Sequence, residues 1–154
     1  MRVASFADIE AEFIARVHRA VWCNVATVDA HGRPRSRLLH SIWEGSTGWI
    51  ATRRHSPKAD DLAHNPNISL AYVTDEVHPV YVDGVAQWED GAAERSHVWE
   101  LFLAASPPLG YDPGPIYGSV EAPDYGVLRI TPRYIELGDV SGAGERRIIW
   151  RAVE

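Results

Sequence analysis

The sequence contains a single cysteine and no long apolar run, and each shortage excludes a class of protein. Cys23 is the only cysteine among 154 residues, so the chain can form neither an intrachain disulfide nor a thiolate metal site. No run of about 18 apolar residues is present, which excludes a membrane-spanning helix. The first residues lack the apolar stretch of a signal peptide, so we expect a cytoplasmic protein that folds as one domain over residues 1–154.

Positive charge is outweighed in the chain as a whole but concentrated in one segment. The net charge is −6, which disfavours nucleic acid as a partner. Residues 31–58 nevertheless carry one acid, Glu44, against six cations: Arg33, Arg35, Arg37, Arg53, Arg54 and Lys58, which is the only lysine. A compact basic island of this kind favours one small anionic ligand over a polyanion.

Hydrophobic spacing and turn residues predict few helices and many short strands. The predicted helices cover residues 6–21, 56–65 and 92–105, the first opened by a capping box of Ser5 and Asp8. The predicted strands cover residues 23–28, 33–43, 49–52, 67–74, 80–88, 125–131, 134–137 and 147–153. Because strands and helices do not alternate regularly, the pattern indicates an α+β domain, mainly β, built on an antiparallel barrel or sandwich.

The clearest chemical signal is the segment Thr52–Lys58, which joins the end of a strand to the start of a helix. Ser56 is a good N-cap and Pro57 suits the first helical position. Free backbone N–H groups and the helix dipole favour an anion there, and hydroxyl and cationic side chains complete a phosphate site. Arg35 and Arg37 share one face of the predicted strand 33–43. They would meet the same anion if that strand is a neighbour and faces the same way. The alternative is that Ser56 only caps its own helix while the cations are solvated.

Other kinds of site have little support in the sequence. The seven histidines show no spacing of two, three or four residues, so we expect no metal centre. Cys23 begins an apolar strand and is most simply a small buried residue. The sequence identifies no catalytic residue, and His40 and Tyr117 are the candidates for a proton donor.

The segment 106–123 is rich in proline and glycine and too long for a tight connection. We expect neither helix nor strand there, because proline fixes φ and lacks an N–H donor. Its side chains include Leu109, Tyr111, Ile116 and Tyr117, which are too apolar for a purely solvated loop. The segment therefore either covers the core or a partner subunit, or forms one wall of a substrate pocket.

Several short motifs follow one another in an informative order. They are Ala26–Asp29 with Gly32–Pro34, Arg35–Leu39, Trp49–Thr52, Ser56–Ala59, Asn65–Leu70, Val82–Ala86 and Leu128–Pro132. Taken in this order, they resemble the pyridoxamine 5'-phosphate oxidase-like family of split-barrel flavoproteins, and in particular its small general-stress-type members. The likeness covers nearly the whole chain.

The resemblance implies a six-stranded antiparallel split β-barrel with flanking helices, and a homodimer that binds FMN at the subunit interface. The residues that it places around the FMN phosphate are Arg37, Thr52, Ser56 and Lys58. The phosphate-site motif selects these residues independently and adds Arg35 as a neighbouring cation. Ala51 would border the flavin ring, and Trp150 lies near a position where the family has an aromatic residue close to the flavin.

Three departures separate the chain from pyridoxine phosphate oxidase itself. Pro57 replaces a basic residue, Pro79 replaces a flavin-contacting Gln, and residues 146–151 lack the substrate-binding Arg-Leu-His motif. We therefore expect a flavin-dependent oxidoreductase that acts on another small molecule. Two alternatives stay open: a deazaflavin-dependent reductase of the same fold, whose acidic tail Arg53 and Arg54 could meet, and a non-enzymatic protein that binds or senses flavin or haem.

Overall fold

The computed structural model describes residues 1–73, 75–142 and 144–153. Its helices are α1 (Glu10–Ala20), α2 (Pro57–His64), α3 (Ala92–Ala104) and α4 (Gly114–Tyr117), with a 3-10 turn at Phe6–Asp8. Its strands are β1 (Trp22–Val28), β2 (Pro34–Glu44), β3 (Thr47–Arg53), β4 (Asn67–Tyr72), β5 (Val80–Trp88), β6 (Tyr125–Asp139) and β7 (Arg146–Arg151). In the part of the chain described, no helix has both the length and the apolar character needed to cross a membrane.

The strands form one antiparallel sheet that closes on itself. Their order is β3-β2-β1-β4-β5-β6, and β3 also pairs with β6, which completes a six-stranded barrel. β7 adds a seventh strand to the far half of β6. The predicted mainly β fold, a six-stranded antiparallel barrel with flanking helices, is confirmed.

Strand β6 pairs with two different strands along one of its edges. Residues 125–130 pair with β3, and residues 134–139 pair with β7. The sequence predicts two strands here, 125–131 and 134–137, and this is wrong because a bulge keeps the strand continuous: Asp83 pairs with Tyr134 but Gly84 pairs with Pro132. A Cβ on Gly84 would lie 2.4 Å from the Thr131 carbonyl oxygen, so this close approach requires glycine.

Two apolar cores lie on opposite sides of the closing strands. The first is formed by inward-facing residues of the barrel together with α1, whose Phe13 packs edge-on against Trp43. The second lies between the outer face of β3 and β6 and helix α3, and includes Val98 and Phe102. Because successive residues of a strand point to opposite faces, Ile50 enters the first core while its neighbours enter the second.

The predicted helices are confirmed with small changes at their ends. The capping box is present, with Ser5 N–H donating to Asp8 Oδ2 (3.0 Å) and Ala7 N–H donating to Ser5 Oγ (3.2 Å). It caps the 3-10 turn rather than α1, so the predicted helix over residues 6–21 is divided, and Val21 ends it with φ of 65°. Thr74, the last residue of one predicted strand, lies outside the described residues.

A buried polar cluster of Tyr72, Ser41, Trp43 and Cys23 lies inside the barrel. The Tyr72 hydroxyl accepts a hydrogen bond from Trp43 Nε1 (2.8 Å) and shares another with Ser41 Oγ (2.6 Å). Burial raises the pKa of the nearby Cys23 thiol to about 11, so this cysteine stays protonated and unreactive at neutral pH. The cluster holds β1, β2 and β4 together from within.

We expect Tyr72→Phe to lower the free energy of unfolding by roughly 1–3 kcal/mol, because it leaves the Trp43 N–H and the Ser41 hydroxyl buried without this partner. Denaturant unfolding monitored by circular dichroism measures this as a lower midpoint at an unchanged m value. Tyr81→Phe is the matched control, since Tyr81 is 42% exposed. Equal midpoints for the two variants would contradict a stabilising role for the cluster.

Candidate cofactor site

The loop between β3 and α2 is held in place by one acidic residue, Asp124, which immediately precedes β6. Its carbonyl oxygen accepts from the Arg54 N–H (2.9 Å), and its carboxylate accepts from the His55 N–H (3.2 Å) and from Arg53 Nη1 (2.6 Å). Asp124 thus holds residues 53–55 next to the start of β6. No motif in the sequence indicates this role, because it arises from the β3–β6 pairing.

Ser56 occupies the N-cap position of α2, but its side chain makes no cap hydrogen bond. Its hydroxyl donates to the Arg53 carbonyl oxygen (3.0 Å) and accepts from Lys58 Nζ (2.8 Å). The interpretation that Ser56 only caps its own helix is therefore wrong. The start of α2 presents a serine hydroxyl, a lysine ammonium and the positive end of the helix dipole together.

Most of the basic island is neutralised by acids from other parts of the chain. The ion pairs are Arg33–Asp29, Arg37–Asp61, Arg53–Asp124 and Arg54–Asp90, with N–O distances of 3.0, 3.5, 2.6 and 2.9 Å. Among the described residues, Arg35 and Lys58 are the members of the island without an ion pair. Asp61 and Asp124 lie outside the island in sequence, and the structure brings both of them to it.

Lys58 is the less solvated of these two unpaired cations, with 8% of its surface exposed, whereas Arg35 is exposed. Burial lowers the pKa of Lys58, and the charges of Arg37 and Arg53 lower it further, while Asp124 opposes them. The ammonium is thus held among cations with a hydroxyl as its hydrogen-bond partner. An anion bound here would offset both the desolvation and the repulsion.

Arg37 reaches the same region from β2 and is positioned by two side chains. Its Nη1 donates to Thr27 Oγ1 (2.7 Å), and Thr27 in turn donates to Asp61 Oδ2 (2.7 Å). Sequence reasoning identified Arg37 but missed Thr27 and Asp61. The spacing of Lys58 and Asp61 on α2, three residues apart and therefore on one helix face, is the signal that could have found the second.

A cavity of about 510 Å³ lies next to the loop. The strand residues that line it are Trp22, Leu39, His40, Ala51, Thr52 and Arg53. The size falls within the range of ordinary small-molecule sites, roughly 300–1,000 Å³. Thr52 and Arg53 line this cavity, and the Arg53 carbonyl oxygen accepts from Ser56, whereas Arg37, Ser56 and Lys58 lie beside the cavity without lining it.

The segment 106–123 also lines this cavity, through Pro108, Tyr111, Asp112, Ile116 and Tyr117. The expectation of no regular structure is wrong at one place, because residues 114–117 form the single turn α4 after Pro113. Leu109, Tyr111 and Tyr117 also pack on the second core. The two roles considered from sequence, covering the core and forming a pocket wall, are therefore both present.

Two residues predicted to bind the cofactor lie apart from this site in the single chain. Arg35 is exposed near the start of β2 and does not line the cavity. Trp150 lies on β7 and packs edge-on against Phe6 in the first core, with ring centroids 5.6 Å apart. Because β7 pairs with the far half of β6, it does not reach β3.

Similarity to known proteins agrees with this architecture. No curated protein matches the sequence. Among solved structures, a protein from Clostridium acetobutylicum related to general stress protein 26 of Bacillus subtilis, of the pyridoxinephosphate oxidase family, has 17% identity and a TM-score of 0.73 over 94% of both chains. A pyridoxamine 5'-phosphate oxidase-related, FMN-binding protein from Nostoc punctiforme has 18% identity and a TM-score of 0.71, over 95% of this chain and 91% of that one.

A heme-binding protein from Mycobacterium smegmatis shares the fold as well, with 19% identity and a TM-score of 0.66 over 90% of this chain and 57% of that one. At such identities the structural likeness shows the fold alone. The sequence itself carries the family relationship, because the family model described as pyridoxamine 5'-phosphate oxidase matches residues 9–138. The chain therefore belongs to the pyridoxamine 5'-phosphate oxidase family.

Proposed function

We propose that the protein binds FMN, with the phosphate at the start of α2 and the ring system in the adjoining cavity, and acts as an oxidoreductase on a small molecule. The observation that carries the proposal is the buried ammonium of Lys58, which has no ion pair among the described residues and is surrounded by Arg37 and Arg53. A phosphate dianion is the complement of such a site. The family relationship and an FMN-binding structural neighbour support the same cofactor.

The cavity also fits a flavin by its chemistry. Ala51 and Thr52 are 8% and 6% exposed, so β3 offers a flat, rigid surface for a ring. Pro108, Tyr111 and Ile116 add apolar and aromatic surface to the same cavity. When bound, FMN supplies the hydride or electron transfer, which explains why no acid–base pair stands out among the protein residues.

Tyr117, one of the two candidates for a proton donor, lines the cavity. Burial is the largest cause that raises its pKa, and Asp124 adds to the shift while Arg53 opposes it. The phenol therefore stays protonated at neutral pH and can donate a hydrogen bond to a substrate oxygen or nitrogen. We expect a substrate other than pyridoxine phosphate, because residues 146–151 form β7 and lack the Arg-Leu-His motif.

A deazaflavin coenzyme with an acidic tail is the less favoured alternative. The cations proposed to meet that tail, Arg53 and Arg54, already pair with Asp124 and Asp90. Haem is disfavoured as well. His40 is the only histidine lining the cavity, and its ring is packed against three aromatic side chains, which leaves little access for an iron ion.

We further propose a homodimer in which a second copy covers the open side of the cavity. Trp22 borders the cavity and is 56% exposed, and Leu38 on the adjacent strand is 68% exposed. Large apolar side chains that are exposed together on neighbouring strands are typical of subunit interfaces. A partner at this position would bury both residues and shield the ring.

Lys58→Met should weaken FMN binding tenfold or more, because a hydrogen bond to a charged group contributes about 1.5–3 kcal/mol. Titration followed by flavin fluorescence measures the dissociation constant. Arg19→Met, which removes an exposed cation from α1, controls for net charge and should leave the constant unchanged. An unchanged FMN affinity in Lys58→Met, or an equal loss of riboflavin affinity, would contradict the phosphate assignment.

The same variant should leave the apoprotein as stable as the parent, or more so. The folded-state pKa of Lys58 is lowered, so the charged lysine costs stability below that pKa, and the cost vanishes only above the unfolded value of about 10.4. Replacing the charged lysine by methionine removes this loss in the free energy of unfolding at neutral pH. Thermal unfolding of the apoprotein therefore separates lost phosphate binding from misfolding.

Leu38→Glu should convert the dimer to a monomer and weaken FMN binding with it, because a carboxylate cannot be buried at an apolar interface without a partner. Sedimentation velocity at micromolar concentration gives the mass. Leu103→Glu is the matched control, since Leu103 on α3 is 48% exposed and lies elsewhere. A parent protein that is monomeric with FMN fully bound would overturn the proposed assembly.

A further inference from the structure

Arg95 reaches from α3 to the part of the chain that leads into β6. Its Nη2 donates to the carbonyl oxygens of Val120 (2.7 Å) and Ala122 (2.9 Å), and its Nη1 donates to that of Tyr125. These three acceptors lie on both sides of Asp124, the residue that holds the loop between β3 and α2. One guanidinium therefore fixes the backbone on either side of Asp124.

Tyr125 contacts the same arginine in two further ways. The Arg95 guanidinium lies over the Tyr125 ring, 4.9 Å from its centroid, and the Tyr125 hydroxyl donates to the Arg95 carbonyl oxygen (3.0 Å). Tyr125 is fully buried and also packs against Tyr117, which lines the cavity, with ring centroids 5.2 Å apart. Arg95 is thus anchored on a ring of the second core.

Arginine is suited to this set of acceptors. Backbone carbonyl oxygens can only accept, and a planar guanidinium presents five N–H donors in a fixed arrangement. Here two nitrogen atoms serve three oxygens in a partly buried environment, where water is a poorer substitute. A lysine has a single side-chain nitrogen, so it could replace only part of this set.

The contacts continue from Asp124 to the phosphate end of the proposed site. Asp124 accepts from three donors in residues 53–55. Ser56 donates to the carbonyl oxygen of the first of these residues, and Lys58 donates to Ser56 Oγ. Because each link is a direct hydrogen bond, the placement of Lys58 depends on how firmly Asp124 is held. Arg95 itself does not line the cavity.

We propose that Arg95 is a positioning residue: it holds Asp124, and through Asp124 it aligns the loop between β3 and α2 that carries the phosphate site. Pairing of β3 with β6 brings Asp124 to this loop, and Arg95 keeps it aligned there. The inference rests on the proposed function, because it concerns the phosphate end of the same site.

FMN and riboflavin, which differ only in the phosphate, test this role. The ratio of their dissociation constants, measured by flavin fluorescence, gives the contribution of the phosphate to binding. Arg95→Met should lower this ratio roughly fivefold or more, because the phosphate site loses its alignment. A general loss of stability would weaken both ligands equally and leave the ratio unchanged.

Two further variants accompany this measurement. Arg95→Lys keeps the positive charge and part of the donor set, so it should retain part of the parent ratio. Arg19→Met removes an exposed cation from another helix, α1, and should keep the parent ratio in full.

Amide hydrogen exchange of the apoprotein, followed by NMR, measures the same role without a flavin. In Arg95→Met the N–H groups of Arg54 and His55, which donate to Asp124, should exchange about tenfold faster or more, whereas the amides of β4 should keep the parent rates.

Parent rates at the Arg54 and His55 amides would show that strand pairing alone holds the loop and would overturn the inference. An undiminished preference for FMN in Arg95→Met would overturn it as well. If the parent protein shows no preference for FMN, the proposed function fails, while faster exchange of the two amides still supports the role of Arg95.

Discussion

The pairing of β3 with the first half of β6 is the contact on which the rest of the structure depends. It closes the sheet, and it separates the two cores by sending alternate residues of both strands to opposite sides. It also places Asp124 beside residues 53–55, so the turn into α2 is fixed by three hydrogen bonds. The position of Lys58 therefore follows from barrel closure.

The basic island leaves two of its six cations without an ion pair among the described residues, and of these two Lys58 is the buried one. Four arginines of the island are neutralised by aspartates from four separate places in the chain. Lysine suits the remaining position, because its ammonium is compact and its pKa shifts readily when buried, whereas arginine stays charged. An anion bound beside this ammonium would offset the free-energy cost of burying it.

Much of the fold was predictable from the sequence because it follows from hydrophobic spacing and turn residues within short segments. Alternating apolar residues predicted the strands, and Ser56 and Pro57 predicted the start of α2. The bulge at Gly84 was not predictable, since Pro132 reads locally as the end of a strand and only pairing with β5 shows that the strand continues. Whether a strand continues through such a residue is determined by its pairing with a strand distant in sequence.

The candidate site shows the same contrast: contacts between residues close in sequence were predictable, and contacts that depend on long-range packing were not. Ser56 and Lys58 are close in sequence, and the structure confirms that they meet. The roles of Asp61, Asp124 and Thr27 depend on which elements pack together. No spacing in the sequence predicts the roles of Thr27 and Asp124. The cavity was foreseen only as one of two roles for the segment 106–123, because apolar residues in a proline-rich loop indicate burial without showing against what.

The double role of the segment 106–123 has a consequence for how this protein can change over evolutionary time. Tyr111 and Tyr117 belong to the second core and to the cavity wall at once. A substitution that reshapes the cavity for a new ligand therefore also alters core packing, and most such changes lower stability. New specificities should arise first at Asp112 and Ile116, which line the cavity without belonging to that core, and reach the tyrosines only after stabilising substitutions elsewhere.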